Sequence, residues 1–107
     1  MGMKDVFINL VGGLKVDDPA ADLSILCAIA SSFMDKPIDE NIVFIGEIGL
    51  AGEVRSISRL GHRLAEVKAL GFSGAIVPSA SMNEKTNKSK LKIYPVTSVR
   101  QTFDILF

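Results

Sequence analysis

The sequence predicts a two-layer α+β domain, an α/β sandwich of helices on one sheet, and three observations carry that prediction. Short apolar runs rich in β-branched residues, Val6 to Val11, Ile42 to Ile45 and Gly74 to Val77, have the length of buried strands and stop at glycine or proline. Between them lie helix-length stretches, Pro19 to Met34 and Arg59 to Leu70. The chain has 107 residues of which 48% are hydrophobic, enough for one core without cross-links, so a single domain over 1–107 is expected and no internal repeat is found.

Taken in order, Val6 to Val11 reads as a strand ending at Gly12-Gly13, and Leu14 to Asp18 as a loop. Asp18 before Pro19 has the form of a helix start, a side chain able to cap free amides followed by a ring preset for the first turn. The helix to Met34 is apolar around most of its circumference, which predicts protein on more than one side. A break at Lys36 to Asn41 precedes the strand Ile42 to Ile45, and Gly49 and Gly52 frame a hairpin-like turn within Glu47 to Ser56. Leu60, Leu64, Val67 and Leu70 recur at helical spacing, and Gly71 is placed to end that helix. Gly74 to Pro78 is a short strand, Ser79 to Lys90 a polar surface loop, Leu91 to Val96 an alternating strand, and Ser98 caps a last helix through Leu106.

Acidic and basic residues are balanced at 12 each, so no global field draws the chain onto nucleic acid or a membrane, and such binding needs a local patch. The single cysteine, Cys27, lies in an apolar stretch and offers neither a disulfide nor a metal cluster, which favours a reducing, cytoplasmic setting. The apolar runs fall short of the about 20 residues a bilayer requires, so no membrane partner is expected. Met1-Gly2-Met3 offers two starts within three residues, so residues 1–3 read as an expression addition and the rest as a fragment of a longer protein.

Three stretches resemble the Lon peptidase domain, and more closely its relative at the carboxy end of the RadA/Sms family of bacterial DNA-repair proteins. They are Asp5 to Gly13 leading into Pro19-Ala20-Ala21-Asp22-Leu23 and Ala28 to Ser32, then Gly46-Glu47-Ile48-Gly49-Leu50-Ala51-Gly52, then Gly71-Phe72 with Ala75-Ile76-Val77-Pro78. Each string alone is a weak signal; their order and spacing across nearly the whole chain is a specific one. The resemblance implies a Lon-protease-like, ribosomal protein S5 domain 2-like fold, truncated at its amino end, with a sheet or core left partly uncovered.

It also implies where catalysis would sit. Active Lon enzymes use a serine in a Pro-Ser-Ala-Gly string and a lysine that takes its proton. Those positions fall on Ala20 and Gly61, neither of which can do that chemistry, and Asp22 replaces the small glycine. Ser24, four residues on, lies roughly 6 Å further along the helix, too far to inherit the position.

Members of the RadA/Sms family join a zinc-binding segment and a RecA-like ATPase to this domain and act on branched recombination intermediates. The resemblance therefore implies ATP, magnesium and zinc for the longer parent, a hexameric ring of subunits, and single-stranded or branched DNA as partner. No phosphate-loop string and no Cys-x-x-Cys pair occur in these residues, so no cofactor is expected for the chain itself.

Candidate DNA contacts are Lys85, Lys88, Lys90 and Lys92 in the polar segment, and Arg55, Arg59 and Arg63 with His62 and Lys68 nearby, which are also compatible with a subunit interface. As ordinary structure, the first group is a solvated loop. His62 has no second ligand in sequence, so a metal role is not favoured. Asp17, Asp18 and Asp22 suit capping better than catalysis. Glu47 and Glu53 flank the glycine-rich turn and could pair as acid and base, with turn polarity as the default. Tyr94 is the only tyrosine and tryptophan is absent, so base stacking is poorly supplied and DNA contact would be to phosphate. The function expected is a non-catalytic assembly and DNA-contact module. The alternatives are an ATP-dependent Lon-type serine peptidase domain, which Ala20 and Gly61 oppose, and a pure oligomerisation scaffold.

Overall fold

The computed structural model describes residues 18–83, 86 and 90–107. The expected strand at Val6 to Val11, Asp17, Lys85 and Lys88 lie outside the described residues. The Asp18 carboxylate accepts the Ala20 N–H at 2.9 Å, and Pro19 opens a 3-10 turn, Pro19–Ala21, that runs into helix α1, Asp22–Met34. α1 ends on Asp35 with φ 52°, where the Lys36 N–H donates back to the Ser31 carbonyl at 3.1 Å.

Strand β1 is Ile42–Phe44, and the hairpin of β2, Glu47–Ile48, and β3, Val54–Arg55, follows. Its turn is closed by Gly49 N–H to Glu53 O at 2.9 Å and by Gly52 at φ 81°, a conformation that suits glycine. Helix α2 spans Leu60–Ala69, with Gly71 at φ 98° past its end as the sequence predicts. β4, Gly74–Pro78, a second 3-10 turn at Ser79–Ser81, β5, Lys92–Val96, and α3, Val99–Leu106, complete the order. Ser98 caps α3 by accepting the Gln101 N–H at 3.0 Å.

Among the described residues the sheet runs β1-β4-β5 with both pairings parallel, Ile42 opposite Gly74 and Ile76 opposite Tyr94. Successive side chains of a strand point to opposite faces. Val43, Ile45, Ala75 and Val77 accordingly pack with Leu60, Leu64 and Val67 of α2. Phe44, Ile76 and Val96 pack with Leu23, Cys27 and Ala28 of α1 and with Phe103 and Leu106 of α3.

Among the described residues the architecture is a small α/β domain with a parallel sheet and three helices, and it departs from the expected two layers because helices cover both faces. The physical reason is visible in β4, all five residues of which are buried: a parallel strand apolar on both sides needs cover on both sides. α1 also departs from its expectation. Only one stripe of it, Leu23, Ser24, Cys27, Ala28 and Ser31, is buried, while Ile29 and Phe33 are 48% and 90% exposed.

Candidate functional site

Ala20, where the resemblance places a nucleophile, and Leu60, the residue before Gly61, pack in one cluster where the 3-10 turn leading into α1, the end of β1 and α2 converge. Ala20 is 2% exposed, and its methyl packs in the same cluster as Val43, Ile45, Leu60 and Leu64. Gly61 follows Leu60 directly, and a Cβ there would lie 3.3 Å from the Thr86 carbonyl oxygen. Ser24 is buried, and its hydroxyl donates to the Ala21 carbonyl at 2.8 Å.

Backbone bonds close this locus. The Gly46 N–H donates to Ala20 O at 2.8 Å, and the Leu23 N–H to Gly46 O at 3.0 Å. A Cβ on Gly46 would sit 2.8 Å from Val54 Cγ1, so the crossing requires glycine. The Ile48 N–H of β2 donates to Asp22 Oδ2 in a long bond of 3.3 Å, so Asp22 ties the start of α1 to the hairpin.

An ion pair ties the same turn to α2. Arg63 Nη1 lies 2.8 Å from Asp18 Oδ2, the two side chains only 21% and 26% exposed. The Arg63 Nε–H donates to Ser58 O at 3.2 Å. The hydrogen bond from Arg63, then that from the Ala20 N–H, holds the Asp18 carboxyl below its ordinary value against a small opposing effect of burial.

The other predicted site residues are dispersed. Arg55 is half exposed on β3 and sits loosely between Glu47 at 3.9 Å and Glu53 at 3.8 Å. Arg59 is exposed at φ 58° beside the start of α2. Lys90 and Lys92 are exposed, Lys92 Nζ standing 5.4 Å over the Tyr94 ring. His62 pairs with Glu66 at 3.1 Å on the solvent face of α2, and among the described residues no group of three metal-ligating side chains assembles.

Hydrogen bonds from its own N–H and from the Ala51 N–H hold the Glu53 carboxyl below its ordinary value, the wrong direction for a general acid. Burial pushes the Cys27 thiol up to about 12, the mark of an inert core cysteine. Sequence reasoning missed the Asp18–Arg63 pair and the Asp22–Ile48 bond. Their partners are 45 and 26 residues apart, and no local pattern announces them.

Fold and site define a small α/β domain in which an ion pair ties the turn leading into α1 to α2. The family of subunit ChlI of Mg-chelatase matches residues 1–81, and the chain belongs to that family. The chain is also homologous to proteins named DNA repair protein RadA. Those of Bacillus subtilis, Escherichia coli and Streptococcus pneumoniae are 41%, 38% and 36% identical over 92%, 98% and 97% of it. These matches take in 21%, 23% and 25% of the relatives, so the chain spans about a fifth to a quarter of their length. The motifs pointed to RadA proteins; they did not point to the ChlI family.

Proposed function

We propose that the chain is a non-catalytic, Lon-protease-like domain of a RadA-type DNA-repair ATPase, serving subunit assembly and sequence-independent contact with DNA. The observation that carries this reading is Ala20, a buried methyl at the position the resemblance assigns to a nucleophile, with its carbonyl accepting the Gly46 N–H. A serine peptidase needs a hydroxyl open to substrate and a base beside it, and Ala20 and Gly61 supply neither.

The relatives' printed name supports DNA repair as the setting, and the exposed Arg55, Arg59, Lys90 and Lys92 supply cations for phosphate. A ring of six subunits, and ATP, magnesium and zinc held by other parts of a longer parent, belong to the same proposal, as does a cytoplasmic location. No helix among the described residues is long and apolar enough to cross a membrane.

The test is anisotropy of labelled single-stranded DNA titrated with the chain at about 50 and about 200 mM salt, where a few phosphate contacts predict at least a tenfold weakening. Absence of binding at the lower salt would leave assembly as the domain's role.

A further inference from the structure

Asp18 caps the 3-10 turn that leads into α1 and Asp22 is the first residue of α1, yet they grip different elements. Asp18 reaches Arg63 of α2, 45 residues away, at 2.8 Å. Asp22 reaches the Ile48 N–H of β2 at 3.3 Å. Arg63 spends a second donor, its Nε–H, on the Ser58 carbonyl in the turn that precedes α2. The three side chains therefore fasten the first turn of α1 to α2 and to the hairpin at once, around the buried Ala20.

We infer that Asp18, Asp22 and Arg63 form a structural joint, and that Arg63 is thereby withheld from nucleic-acid phosphate. A phosphate brought to Arg63 would share its guanidinium with a carboxylate already 2.8 Å away, setting two anions side by side. The side chain is only 21% exposed, and turning it outward would strand the partly buried Asp18. Arg59, four residues earlier, is exposed and in no ion pair among the described residues, so it is the arginine of this segment left for phosphate. The clause on phosphate rests on the DNA-contact reading proposed above; the joint does not.

The experiment is a double-mutant cycle on the chain with Asp18→Asn, Arg63→Gln and their combination. The charge swap Asp18→Arg with Arg63→Asp keeps the test readable if a single variant fails to fold. Each single change is expected to lower the thermal midpoint by on the order of 5 °C, the double by less than the sum, and the swap to recover part of the loss. Strictly additive losses with no recovery would overturn the joint.

Asp22→Ala is expected to speed amide exchange at Ile48, and unchanged exchange there would remove Asp22 from it. In titrations of single-stranded DNA, Arg63→Gln is expected to leave the dependence of log affinity on log salt unchanged, while Arg59→Gln lowers its slope by about 0.7. A slope loss with Arg63→Gln would overturn the withholding of that arginine. A chain that binds no DNA defeats the DNA-contact reading and leaves the joint to the cycle.

Discussion

Around the first turn of α1 charge is turned inward: Asp18, Asp22 and Arg63 are each committed to a partner in another segment. Along the segment that leads into β5 it is turned outward, with Lys90 and Lys92 exposed and in no ion pair among the described residues. The chain has 12 acidic and 12 basic residues, and the two regions handle their charges differently. Asp18 is paired with Arg63, and the carboxylates of Asp22 and Glu53 accept backbone N–H groups.

The contrast breaks most strongly in the core that supports the inward region. Leu64 of α2 is fully buried against the sheet in the cluster that holds Ala20. Leu64→Ala is expected to cost about 2–5 kcal/mol, the lost transfer free energy plus the cavity left behind, read as a lower urea midpoint at unchanged slope. The same truncation at Lys92, exposed on β5, is expected to stay within about 0.5 kcal/mol apart from its contact with Tyr94.

Acid sharpens the comparison at the next level. The Asp18 carboxyl is lowered from its ordinary value of 3.8 when folded, so the unfolded chain binds its proton first. Its contribution is complete above that value and is lost as pH falls through the lower, folded value. Unfolding followed from pH 6 down to pH 2 should therefore show a loss of stability below about pH 4, and Arg63→Gln should make that loss smaller. A pH profile identical in the two proteins would mean that the ion pair carries none of it.

Local signals made most of the fold legible. The Asp18–Pro19 start, the Leu60 to Leu70 spacing with Gly71, and the Ser98 cap each depend on residues within a turn or two of one another, and each is found where the sequence places it. Layering was not legible in the same way. The run Ala75-Ile76-Val77 already signals burial on both faces of β4, yet α1 looks apolar all round while only its Leu23, Cys27 and Ala28 stripe is used.

At the site, the strings single out Ala20 and Gly61, and Ala20 is buried in the cluster that includes Leu60. Arg59, His62 and Arg63 look alike as a basic run at helical spacing, and only tertiary structure separates them. Arg63 turns to Asp18, His62 to Glu66, and Arg59 stays open to solvent. Helical spacing tells which residues share a side of a helix, and not what comes from elsewhere in the chain to meet them.

The smallest expected effect is the one that separates surface from scaffold. Lys92 Nζ over the Tyr94 ring is an exposed cation–π contact at 5.4 Å, worth about 0.5–1 kcal/mol at most. Lys92→Gln is thus expected to move the unfolding midpoint by no more than a few degrees, because no buried group loses a partner. If the outward charge contacts phosphate, the same change should still lower the slope of log affinity against log salt by about 0.7, the single-strand value for one contact. A change in slope without a change in fold would assign Lys92 to the DNA surface. A change in fold with no change in slope would return it to the scaffold, and the division between inward and outward charge would then have to be drawn elsewhere.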